Sequence, residues 1–101
     1  MVKMVYIKKH VKGNIVLIAV CDKEILGMTF REGRLKIEIK NSFYGGELKP
    51  INDELFKMLN NANIVNMVGK TIIEEAIKRG FIPREGVLTI AGIPHVQIIR
   101  L

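Results

Sequence analysis

Tryptophan is absent from this sequence of 101 residues, cysteine occurs once and histidine twice. A single thiol, Cys21, excludes an internal disulfide, and one cysteine with two histidines falls short of the four ligands of an ordinary zinc site. Long apolar runs are missing too: the longest, Ile15 to Cys21, is far below the roughly 20 residues of a membrane helix. The amino terminus does not follow the basic, apolar and small-residue succession of a secretory signal. Repeats, low-complexity tracts and linker-like stretches are lacking. Together these absences predict one soluble, cytoplasmic domain over residues 1–101, with no metal, no cofactor and no membrane partner.

Of the two charge signs, the acidic one is scarcer. Ten Asp plus Glu stand against 16 Lys plus Arg, a net charge of +6. Such a surplus favours polyanionic partners, because each Lys or Arg placed on a phosphate releases condensed counterions. The positive residues are dispersed, with one local group at Lys8, Lys9 and Lys12, so a folded surface has to assemble any patch. The same surplus also serves plain solubility. At 49% hydrophobic and 26% charged, the chain has enough apolar surface to fold unaided.

Periodicity gives the elements. Lys8 to Asn14 reads as a polar turn between a strand over Met4–Ile7 and a doubly buried strand over Ile15–Cys21. Asp22 to Gly27 reads as one helical turn capped by Asp22. Arg34 to Lys40 alternates strictly, which predicts Leu35, Ile37 and Ile39 buried with Lys36, Glu38 and Lys40 in water. Asn41 to Glu47 has loop composition, and Asn52 or Asp53 caps a helix carrying Leu55, Phe56 and Leu59. A brief apolar segment over Asn63–Met67 follows. Gly69 then opens a helix with Ile72, Ile73, Ala76 and Ile77 on one stripe, ended by Lys78-Arg79-Gly80. Two strands, Val87–Ile90 and Val96–Arg100, close the chain around Ala91 to His95. Strands at both ends with helices between predict an α+β fold: a mixed, largely antiparallel sheet with two or three short helices on one face.

Three segments have residue types suited to binding or chemistry. Val68-Gly69-Lys70-Thr71 ends like a phosphate-binding loop, but Ile64 stands where that loop's first glycine belongs, so nucleotide hydrolysis is not encoded. What remains is a helix start at which Gly69, Lys70 and free amides could hold a backbone phosphate, or a glycine that merely permits a tight turn. In Phe43-Tyr44-Gly45-Gly46-Glu47, an exposed Tyr44 beside the paired glycines would be a stacking platform for an unpaired base, with Lys40 and Lys49 near phosphate. A turn whose aromatics plug the core is the competing reading. In Gly92-Ile93-Pro94-His95-Val96-Gln97, His95 and Gln97 emerge on one side of a strand. Acid-base work by His95 would need a carboxylate brought from elsewhere, Glu47 being the candidate, whereas a structural histidine bonds a carbonyl. Cys21, in an apolar run, reads as an inert core thiol.

In order along the chain, Cys21-Asp22 with Leu26-Gly27, the Phe43 to Glu47 segment, Asn66-x-Val68-Gly69 before a helix, and Gly92 to His95 resemble the landmarks of the archaeal family catalogued as domain of unknown function 424. The similarity runs from Val5 to Gln97. Met67 stands where that family commonly has Leu, Val96 where it has a small residue and Met28 where it has a basic one. The resemblance implies a small cytoplasmic archaeal protein with RNA binding or association with translation, and it implies no reaction.

The residues therefore predict a non-catalytic module for RNA or the ribosome, with Tyr44, Gly45, Gly46, Glu47, Lys49, Gly69, Lys70, His95 and Gln97 as its binding set. Two alternatives stay open: a small enzyme built on His95 and Glu47, and a homodimeric structural or adaptor protein paired through a strand edge.

Overall fold

A two-residue turn at Gly13-Asn14 joins β1 (Met4–Lys12) to β2 (Ile15–Asp22) as an antiparallel hairpin. The strand therefore runs through Lys8 to Lys12, which had been expected as a turn, because each of these residues has a partner on β2. Beyond a 3₁₀ turn at Lys23–Ile25 come β3 (Thr29–Glu32), β4 (Leu35–Glu38), the single-turn α1 (Asn41–Tyr44) and β5 (Glu47–Pro50). The rest is α2 (Asp53–Asn60), β6 (Ile64–Val68), α3 (Lys70–Lys78), a 3₁₀ turn at Arg84–Gly86, β7 (Leu88–Ile90) and β8 (Ile93–Ile99). This computed structural model describes residues 2–100. No helix among them is long and apolar enough to cross a membrane.

The protein is α+β. Six strands form a mixed sheet in the order β5-β1-β2-β6-β8-β7, in which only the β2–β6 pair is parallel; β3 and β4 form a separate two-stranded sheet. Central placement explains the continuous apolar character of β2, whose residues Ile18 to Asp22 are all buried. On one face, Val5, Ile7, Ile18, Val20, Val65, Met67 and Val96 pack against Leu55, Phe56 and Leu59 of α2 and Ile72, Ile73 and Ala76 of α3. Asn52 starts α2 by accepting the Leu55 amide at 3.0 Å, and Arg100 finishes it by donating to the Leu59 and Ala62 carbonyls. Glu75 and Arg79, four apart on α3, pair at 3.3 Å, with Asp53 as a second partner of the guanidinium.

On the opposite face, Ala19, Cys21 and Val68 pack against Ile39 and Tyr44, with Phe30, Ile37 and Phe43 around them. The cover is α1, the first 3₁₀ turn and the β3–β4 hairpin, so the shortest helix lies away from the other two. Alternation in β4 sets the parity as expected, with Lys36, Glu38 and Lys40 exposed and Ile39 buried at 1% exposure. Leu35 departs from expectation at 55% exposure, and Ile37 is half-buried. Burial declines from Ile39 toward the hairpin turn.

Candidate functional site

On this second face the strand registers align side chains in rows. Tyr6, Cys21, Val68, His95 and Leu88 form one row; Lys8, Ala19, Asn66 and Gln97 the next; His10, Leu17, Ile64 and Ile99 a third. On the β1–β2 side the cover reaches the third row, where Phe43 stacks on His10 and Leu17 packs against the cluster. On the β8–β7 side it leaves Leu88, Gln97 and Ile99 open. Ala19 is buried and Asn66 is 8% exposed, whereas Gln97 and Ile99 lie open. The third row is half-buried from His10 to Ile64, and Lys12 and Ile15 beyond it are exposed. The open half of the face thus has an apolar floor with an amide pair, Asn66 opposite Gln97, and lysines along one side. His10 borders it, its ring stacked on Phe43 at 5.0 Å and 21° and its Nε2 2.9 Å from the Phe43 carbonyl oxygen.

The solvent-facing charge of the strands under this surface has one sign. Strands β1, β2, β6, β7 and β8 contain a single carboxylate, Asp22, and that one is buried on the opposite face. Lys8, Lys9 and Lys12 have no carboxylate in ion-pair range among the described residues, while Glu38, Glu47, Asp53, Glu74 and Glu75 are each engaged by a Lys or Arg elsewhere. Because β5 pairs only with Met4 to Ile7, the outer edge of β1 from Lys8 to Lys12 is unpaired as well. Lysines on an open strand edge also discourage edge-to-edge aggregation.

Several expected roles do not survive the geometry. Tyr44 is 5% exposed, with its ring edge-on to Phe43 and packed over Ala19 and Cys21, so neither ring face is free to stack on a base. Burial pushes its hydroxyl up to about 12, and the Cys21 thiol likewise to about 12, which leaves that thiol inert as expected. Gly46 serves the fold: a Cβ there would collide with the Ile7 carbonyl, so the glycine lets the chain pass close against β1 as it enters β5. Neighbouring Gly45 abuts Asn41 in the same turn.

Gly69 and Lys70 do not form a phosphate site, because the chain supplies its own anion. Asp22 accepts the Thr71 amide at 2.8 Å and the Ile72 amide at 2.9 Å, filling the position at the start of α3 that a phosphate would take. The carboxyl is 6% exposed, and desolvation raises its pKa while the two amides pull it the other way. Gly69 has φ +123, and a Cβ on it would fall inside the Asp22 carboxyl group, so this glycine is required by both backbone and neighbour. Asp22 therefore caps α3 rather than the short turn that follows it, where no side-chain cap bond forms. The Lys70 side chain lies instead at a cleft of about 260 Å³ on the helix-covered face, with Ile73, Glu74, Arg84 and Pro94.

Glu47 and His95 do not meet. Glu47 shares the helix-side face with Ile7 and pairs with Lys49 at 3.5 Å, whereas His95 sits on the other face four strands away, about 19 Å at ordinary strand spacing. This separation removes the acid-base pair. His95 and Gln97 do emerge on one side as expected, and desolvation lowers the imidazole pKa. Sequence reasoning gave Asn66 no binding role: it figured there in a brief apolar segment and as a landmark of the family resemblance. The signal available was a polar residue inside that segment, Asn63 to Met67.

Fold and surface define a small α+β protein whose mixed sheet is largely covered by helices on one side and half-covered on the other. The chain belongs to the family described as protein of unknown function (DUF424), whose model matches residues 9–101. Its fold is similar to the crystal structure of an uncharacterized conserved protein from Methanopyrus kandleri, with a TM-score of 0.77 and 19% identity over 97% of this chain and 94% of that one. No curated protein matches it.

Proposed function

We propose that this protein is a non-catalytic RNA-binding module of an archaeal cytoplasm, with RNAs of the translation apparatus as the target class suggested by the family resemblance. The observation that supports this reading is the segregation of charge. The sheet presents Lys8 and Lys12 beside its open half with no solvent-facing carboxylate on β1, β2, β6, β7 or β8. Phosphates along that surface would meet cations without paying for a carboxylate's repulsion, and the gain would come from counterion release. The stacking role once expected of Tyr44 passes to the His10 ring, held by Phe43. Fluorescence anisotropy with mixed-sequence single-stranded RNA tests it. Affinity is expected to fall steeply between low and moderate salt, and Lys8→Glu with Lys12→Glu is expected to weaken binding and flatten that dependence. Absence of binding at low salt rejects the proposal.

A homodimer is the second reading, favoured by the exposed Leu35 and Leu88 beside the outer edge of β7. Sedimentation equilibrium would give twice the monomer mass, and Leu88→Lys would return it to one.

A further inference from the structure

Asn66 sits at the centre of the sheet in β6, a position where a β-branched or other apolar residue ordinarily serves best. It is 8% exposed, yet none of the side-chain hydrogen bonds of the described residues uses its amide. A buried amide without partners is costly, so such groups are normally satisfied. Among the described residues no fully enclosed side-chain nitrogen or oxygen lacks a partner, so the unbonded Asn66 amide keeps contact with solvent, on the face it shares with Gln97. Its cross-strand neighbours are Ala19 on one side, too small to cover it, and Gln97 on the other, exposed and also unbonded. The half-buried His95 lies two residues from Gln97 on the same face, and burial holds its ring toward the neutral form, with one nitrogen donating and one accepting.

We infer that Asn66 and Gln97 form a subsite that reads the hydrogen-bonding edges of unpaired bases, which makes single-stranded RNA the ligand of this surface. The inference rests on the RNA reading above and adds what is bound where. A carboxamide presents a donor and an acceptor side by side, which matches the paired donor and acceptor on the Watson–Crick edge of a base. That edge is occupied in a duplex and free in a single strand. The apolar floor of Leu17 and Ile64 receives the ring faces, and Lys8 and Lys12 flank the strand's phosphates. An A-form duplex would reach only the lysines, because its bases are stacked inward.

The test compares a single-stranded 12-mer of mixed sequence with the same sequence as a duplex, at matched salt, on the full chain. Wild-type protein is expected to favour the single strand by roughly tenfold or more, which is a few good polar contacts. Asn66→Leu with Gln97→Met removes both amides while keeping volume and charge. It is expected to lose that preference with the salt dependence unchanged, since no phosphate contact is touched. Gln97→Met alone, at an exposed position that cannot endanger folding, is expected to lose part of it. Equal affinity for duplex and single strand, or undiminished preference in both variants, overturns the subsite and leaves RNA binding intact. No binding of either RNA by the wild type overturns both.

Discussion

Replacing Asp22 by Ala would unseat the helix α3 terminus. The carboxylate is almost wholly buried and accepts two backbone amides, those of Thr71 and Ile72, at 2.8 and 2.9 Å. Its loss strands both donors where water reaches poorly, and cap removals together with charge-assisted bonds put the net cost at about 2–4 kcal/mol once the carboxylate's own desolvation is offset. For a domain of this length that corresponds to a fall in Tm of roughly 10–30 °C. Gly69→Ala provides the cross-check. Its φ of +123 alone costs an L residue about 1–3 kcal/mol, and the new Cβ must also push Asp22 out. In the Asp22→Ala background only the backbone strain should remain, so the two substitutions should be strongly non-additive. Differential scanning calorimetry on the two single variants and the double variant measures this. Additive effects, or an Asp22→Ala protein within about 0.5 kcal/mol of wild type, would refute the account of the cap.

Three further outcomes follow from burial. Ile39→Ala should cost about 2–5 kcal/mol, Ile37→Ala less and Leu35→Ala almost nothing; urea unfolding that ranks them otherwise would show the hairpin cover misplaced. Tyr44→Ala should lower stability by about 3–5 kcal/mol, as for other buried aromatics, so any loss of RNA affinity should vanish when the fraction folded is corrected for. His95 has its pKa lowered by burial, so between its ordinary value of 6.5 and the folded value the unfolded chain holds more protons. The contribution of neutral His95 is therefore complete above 6.5 and lost as pH falls through the folded pKa. Wild-type Tm should decline over that window more than the Tm of His95→Gln, and parallel curves would contradict it.

Much of the fold was legible because its elements follow local rules. The stripe Ile72, Ile73, Ala76 in α3 and the strand state of β2 depend on neighbours in sequence and formed as read, although Ile15 is exposed and Val16 and Leu17 are only half-buried. Of the two caps open for α2, Asn52 is the one that forms. The Lys8 to Lys12 segment failed because its strand state comes from pairing with Ile15 to Ala19, and partnership overrides polar composition. Strand β5 escaped for a similar reason: four residues ending in Pro50 acquire strand character only beside β1. At the candidate site, sequence marked Gly69 and Tyr44 as unusual and left a binding and a structural purpose open for each, and the geometry supports the structural one. The partner that explains Gly69 is Asp22, distant in sequence, and Tyr44 is unusual because it seals a sheet face. His95 and Gln97 share a side by strand parity, whereas their neighbour Asn66 joins them only through the β6–β8 register.

Heteronuclear NMR of the labelled chain during titration with a single-stranded RNA 12-mer tests the central claim most directly, because it reads location as well as binding. The account predicts progressive amide shifts at Lys8 to Lys12, Ile15 to Leu17, Ile64 to Asn66 and Gln97 to Ile99, with the outer surfaces of α2 and α3 unmoved. Shifts confined to α2, α3 or the Lys70 cleft, or a spectrum unchanged at low salt, would contradict it.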